Sequence, residues 1–144
     1  MIIYDRIIKS IYLDIAQLHL DSKECAAAVK TMESYLNRVS YPPADGWLLA
    51  GIAAKECGKL ADTKRYFEQG VKYYPRDPLL RFNLGQVYFY EKDYAGADRV
   101  WSALADTVHD PSLYYLRAVA ARKQNDLEAA EKYIHSALML DTKA

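Results

Sequence analysis

Three histidines and two cysteines are the residues best equipped for metal or nucleophilic chemistry in this sequence of 144 residues: His19, His109, His135, Cys25 and Cys57. A zinc site needs about four such ligands at short, characteristic spacings, and a hydrolytic HExxH pair needs two histidines four residues apart on one helix. The three histidines stand 90 and 26 residues apart and no such pair exists. His19 falls near a helix end, His109 in a turn before Asp110-Pro111, and His135 on a solvent-facing stretch. Gly51 and Gly85 are lone glycines, so no glycine-rich phosphate loop is present. The chain is therefore expected not to be an enzyme, and to hold no catalytic residues, no cofactor and no metal. Two cysteines make no disulfide framework, and Cys25 and Cys57 are expected to be reduced packing residues of a cytoplasmic protein.

Composition excludes further classes. Lysine plus arginine equals aspartate plus glutamate at 19 each, whereas a nucleic-acid binder carries a basic excess. No run approaches the roughly 18 apolar residues of a membrane span. Asp5, Arg6 and Lys9 interrupt the apolar segment that a signal peptide would need.

The elements that must position any site are helical. Ile3, Ile7, Ile11, Ile15 and Leu18 recur at three- or four-residue steps, as one stripe of a helix. The spacing predicts eight helices, over residues 2–20, 23–38, 44–57, 60–73, 78–91, 94–107, 111–124 and 127–141. Prolines at 42, 43, 75, 78 and 111 separate pairs of helices, and short polar connectors separate the members of each pair. Connectors this short make neighbouring helices antiparallel.

Small residues repeat in two registers. Ala16, Gly51, Gly85 and Ala118 step by 35, 34 and 33, and so do Ala28, Thr63, Ala97 and Ala130. Such a period marks stacked helix–turn–helix units. In each unit the first helix is A and the second B. The mid-helix glycines are expected to admit a close approach of helix B at its small residue. Larger residues are expected to seal each pair: Tyr12, Trp47 and Tyr114, then Ile15, Ala50 and Leu84, on A; Met32, Phe67, Trp101 and Ile134 on B.

These residues carry a family resemblance. Ala44–Asp77 is 34 residues long and holds Trp47, Gly51, Thr63, Phe67, Gly70 and Pro75 in the order and spacing of the tetratricopeptide repeat. The next unit has Asn83-Leu84-Gly85-Gln86-Val87-Tyr88, Asp93-Tyr94, Ala97 and Trp101; the last keeps Tyr114, Ala118, Ala130, Ile134 and Ala137. The first, with Tyr12, Ala16, Ala28 and Met32, diverges most, and Arg81 and Arg117 stand where the family has large apolar residues. The resemblance implies an all-α fold: a right-handed α-solenoid of antiparallel helix pairs in one domain, residues 1–144. The repeats would run over 9–43, 44–77, 78–110 and 111–144, with 1–8 extending the first helix.

The resemblance also implies that A-helix residues line a concave peptide-binding groove. In this chain those are Leu13, Gln17, Leu48, Ile52, Lys55, Leu79, Phe82, Asn83, Gln86, Phe89, Tyr90, Tyr115, Val119, Arg122 and Lys123. A groove of this character accepts an amphipathic helix or an aromatic-bearing peptide, with the cations on its rim. The family's carboxylate clamp is not expected, because its slots hold Leu13, Gln17, Leu49, Leu79 and Asn83, of which Asn83 alone suits. Repeat arrays need covered ends. Ile3 and Ile7 at one end, and Leu138 and Leu140 at the other, are candidates for self-association. The expected function is a protein-interaction scaffold or adaptor. The alternatives are a small secretion or assembly chaperone shielding a client helix, and a self-assembling structural subunit. The partner is a protein or peptide, with no nucleic acid and no membrane insertion.

Overall fold

A computed structural model describes residues 2–141 of the chain. Among them are eight α-helices: α1 (Ile2–Asp21), α2 (Cys25–Arg38), α3 (Ala44–Glu56), α4 (Leu60–Tyr73), α5 (Pro78–Tyr90), α6 (Tyr94–Ser102), α7 (Pro111–Lys123) and α8 (Leu127–Asp141). No strand occurs among the described residues. The expected boundaries hold within two residues except in α6, which ends five residues early. There the ladder tightens to i→i−3 bonds, from the amide of Leu104 to the Trp101 carbonyl and from Ala105 to Ser102, and the helix closes in turns.

The local signals are repeated side chains and repeated backbone geometry. Asp77, Asp93, Asp110 and Asp126 each accept a bond from a backbone amide in the first turn of α5, α6, α7 and α8, at 2.8–3.1 Å. A carboxylate there satisfies an orphan donor and faces the positive end of the helix. The turn inside each helix pair carries one left-handed residue: Lys23, Gly58, Lys92 and Asn125, with φ between 59° and 72°. Their steps of 35, 34 and 33 reproduce the sequence repeat. The next amide reaches back five residues in every case, from Glu24, Lys59, Asp93 and Asp126, at 2.8–2.9 Å. This is the Schellman closure.

The chain forms two compact units, Met1–Leu80 and Arg81–Ala144. In the first, Ala16, Ala28, Met32, Tyr35, Ala50, Ala53 and Ala54 form a core against Tyr12, Leu13, Trp47 and Leu49. The second is built on Trp101, with Ala97, Leu104, Leu113 and Ala120 buried around it and Phe82, Phe89 and Leu116 packed on its margin.

The glycines serve a different contact from the one expected. A Cβ on Gly51 would overlap the Phe67 ring, and one on Gly85 would overlap the Trp101 indole. They make room for an aromatic ring of helix B rather than for its small residue. The small series is nonetheless buried: Ala28, Thr63, Ala97 and Ala130 are all inside. Gly46 meets the Tyr35 ring in the same way, and Gly70 meets Leu80 and Trp47.

Tyr35 is fully buried, and its hydroxyl has no hydrogen-bond partner among the described residues. Burial, with Tyr74 and Asp45 nearby, pushes its pKa up to about 12 from 10.0. A phenol held neutral in the fold but free to ionise when unfolded stabilises fully below pH 10. That contribution is lost as pH rises from 10 towards 12, by roughly 2–3 kcal/mol. Tyr35→Phe should remove this alkaline loss. At neutral pH it should be neutral or stabilising by about 1 kcal/mol, because an unsatisfied buried hydroxyl is gone. Urea midpoints at pH 7 and pH 11 check both.

Two expected core residues are corrected. Ile15 of α1 and Ile134 of α8 are exposed, because no further helix among the described residues lies over them.

Candidate functional site

Cys25 opens α2 and Cys57 caps the end of α3. Their sulfurs are bonded, with Cα atoms 5.3 Å apart. The free-thiol reading is thereby corrected. Both lie at intra-pair turns, one in each of two successive repeats, and stacking brings those turns to one edge. A spacing of 32 residues is then a distance of one repeat. The histidines stay apart. His19 Nδ1 lies 3.6 Å from a Glu24 carboxylate oxygen, and His109 and His135 are exposed. Among the described residues no three His, Cys, Asp or Glu side chains converge as a metal site would require, and no helix is long and apolar enough to cross a membrane.

The expected binding residues fall into two groups. In the first unit Leu48 and Ile52 are half-buried on α3, Lys55 is exposed one turn on, and Leu79 is exposed near the start of α5. Of the two further residues on α1, Leu13 is half-buried in the core margin and Gln17 bonds Asp21. In the second unit Phe82 and Phe89 turn onto the Trp101 indole, at 6.4 and 6.1 Å between ring centroids, and Phe89 meets Tyr94 edge-on at 5.2 Å. Asn83 and Val119 are half-buried, while Gln86, Tyr90, Tyr115, Arg122 and Lys123 are exposed. Tyr90 and Tyr115 are the widest open of the aromatics here, at 75% and 60% exposure. The α5 and α7 side chains facing solvent thus combine phenols, an amide and cations, over a layer of rings already engaged inside.

The two arginines at apolar family positions are accounted for. Arg81 donates to the Val100 carbonyl at 3.3 Å. Arg117 is buried; it donates from Nε to Asp98 at 2.8 Å and from Nη2 to the Tyr133 hydroxyl at 3.0 Å, and lies 4.2 Å over the Tyr133 ring. Arg117→Ala should cost about 3 kcal/mol by stranding Asp98, whereas removing both charges together, Arg117→Met with Asp98→Asn, should stay within about 1 kcal/mol of the parent, since no unpaired charge is left and an apolar side chain of similar length restores the packing. Urea unfolding of both variants checks the contrast.

At the ends of the chain, Ile3, Ile7, Ile11, Ile15 and Leu18 form an exposed stripe on α1. On α8, Leu138 is exposed and Leu140 is half-buried, with Ile134 and Met139 open instead. Ile11, Leu18 and Ile134 were not singled out for exposure from sequence. An apolar stripe reads the same whether or not a neighbour covers it.

The curated proteins contain no match to this chain. Among solved structures, residues 41 to the end of MamA from Desulfovibrio magneticus RS-1 superpose with a TM-score of 0.83 at 22% identity, over 94% of this chain and 77% of that one. A crystal structure of MamA gives 0.86 at 14% identity, over 94% and 79%. YrrB, described as a TPR protein with an unusual peptide-binding site, gives 0.79 at 16% identity, over 92% and 68%. At these identities the likeness is one of fold. Two tetratricopeptide repeat family models match residues 48–98 and 111–143, together more than half of the sequence. With glycine–aromatic joints and left-handed turns recurring at the same period, this chain belongs to the tetratricopeptide repeat family.

Proposed function

We propose that the chain is a non-enzymatic protein-interaction module that takes a peptide or helix of a partner against its A helices, chiefly those of the second unit. The observation that carries this reading is that two phenols stand open on successive A helices, Tyr90 at the end of α5 and Tyr115 near the start of α7, with Gln86 on α5 and Val119 and Arg122 on α7. Amphipathic rings with few rotatable bonds supply contact area at low entropy cost, and exposed apolar surface on a folded domain marks contact. The fold neighbour YrrB, whose description includes a peptide-binding site, is consistent with this. Tyr90→Ala with Tyr115→Ala should abolish retention of partners captured by the parent chain while leaving the circular dichroism and thermal midpoint unchanged. Undiminished capture by the folded double variant would overturn the assignment.

A second reading, self-association, is favoured by the uncovered apolar stripe of α1. The cytoplasmic setting expected from free thiols loses its basis with Cys25 and Cys57 bonded. We read the working compartment as oxidising, where such a bond persists. Two alkylatable cysteines in chain trapped directly from its native cells would refute that.

A further inference from the structure

The repeat gives every A-helix position counterparts in the other A helices, and burial at those counterparts shows what is missing from α1. Ile11, Ile15 and Leu18 correspond to Gly46, Ala50 and Ala53 of α3, to Leu80, Leu84 and Val87 of α5, and to Leu113, Arg117 and Ala120 of α7. All nine counterparts are buried. In α1 the three are exposed, by 46%, 40% and 65%. Contacts within each unit show what this face does. Gly46 lies on Tyr35 of the preceding B helix, and Arg117 bonds Asp98 of the preceding B helix. It is the face an A helix turns to the repeat before it.

The last helix pair shows the converse deficit. Ile134 corresponds to Met32, Phe67 and Trp101, and Ala137 to Tyr35, Gly70 and Leu104. Those six are buried, whereas Ile134 is about half exposed. With Pro111, Tyr115, Leu116, Ala137 and Leu138 it lines an open hollow between α7 and α8 that contains no charged side chain. This is where an A helix of a following repeat would lie.

We propose that these two faces are the halves of one joint, and that α1 of one copy docks in the α7–α8 hollow of a second copy, head to tail, as the next helix of the stack. This rests on the self-association reading above and specifies its partner and register. Ile11, Ile15 and Leu18 would meet Ile134, Ala137 and Leu138, apolar on apolar, with the exposed Asp14 beside them on α1 and no charged side chain in the hollow. From Ile3 to Leu18 the exposed apolar side chains of α1 present on the order of 700 Å², of which the three in register with the hollow supply less than half, below the roughly 800 Å² per partner of a standard interface. The receiving hollow is small as well, so the joint is a weak one and its test runs to high concentration. Because its halves differ, each copy keeps a free end and association is open rather than pairwise.

The test uses two variants at exposed positions: Ile11→Lys with Leu18→Lys blocks the α1 face, and Tyr115→Lys with Leu138→Lys blocks the hollow. Circular dichroism establishes that both are folded. Sedimentation equilibrium up to about 0.5 mM should show the parent chain forming dimers and larger species. Each blocked variant alone should be a monomer, its self-association weakened by about 30-fold or more. Mixed, the two should form a one-to-one dimer that grows no further, since each supplies the face the other lacks. A monomeric parent chain overturns both this proposal and the self-association reading. Continued association of the hollow-blocked variant on its own would mean α1 pairs with α1, and overturns the head-to-tail joint alone.

Discussion

Trp101→Ala should lower the unfolding free energy by about 4 kcal/mol, within the 3–5 kcal/mol range of large aromatic deletions in cores. The indole is fully buried, is flanked by Phe82 and Phe89, and donates from Nε1 to the Phe82 carbonyl at 3.1 Å. Its removal leaves a cavity and takes away the indole's bond to that carbonyl. The sharper prediction concerns Gly85. In the parent chain Gly85→Ala drives a methyl group into the indole and should cost about 2–3 kcal/mol, because neither α5 nor a ring wedged between phenylalanines gives way easily. In the Trp101→Ala background the same change should stabilise by up to about 1 kcal/mol, since alanine outranks glycine inside a helix once nothing is struck. A double-mutant cycle by urea denaturation measures the difference directly. Additive effects would show that the glycine is not there for the ring.

The second large effect is covalent. Replacing Cys25 and Cys57 together by alanine should cost about 3–4 kcal/mol, the chain entropy released when a loop of 32 residues is opened in the unfolded state. Dithiothreitol added to the parent chain should reproduce the loss. The damage should be confined to the first unit, where the bond ties the start of α2 to the end of α3. The two tryptophans report separately, Trp47 on that unit and Trp101 on the other. With Trp101→Phe as the background, fluorescence of Trp47 should shift to lower urea on reduction. With Trp47→Phe as the background, the Trp101 transition should move little. No change in the Trp47 transition would mean the bond does not constrain the native chain.

Both predictions depend on contacts that sequence alone could not specify, although much else was legible. Helix existence and pairing followed from apolar spacing and from prolines that cannot continue a helix. The aspartates at 77, 93, 110 and 126 cap locally, and the turns close locally, so these elements need no distant neighbour. The family could be read because a period of about 34 residues is written in the small residues themselves. What packed against those residues could not be read. Gly51 and Gly85 announced a close approach, but whether an alanine or an aromatic ring filled it is a matter of how two helices cross. Arg117 looked like a misfit until Asp98 and Tyr133, from two other helices, enclosed it.

The candidate binding residues divide on the same line. The family resemblance placed Phe82, Phe89, Tyr90 and Tyr115 together as one groove-lining set, since all four fall on A helices. The tertiary structure turned two of them onto Trp101 and left the other two in solvent. Likewise the stripe from Ile3 to Leu18 was plain from its spacing, yet only the absence of a covering helix among the described residues makes it a surface. The cysteines are the clearest case. A sequence separation of 32 suggests no bond in an extended chain, and stacking one repeat on the next reduces it to 5.3 Å between Cα atoms. Local chemistry along the chain determined the helices, caps, turns and family. Burial, pairing and exposure are properties of neighbours distant in sequence, and only the assembled helices decided them.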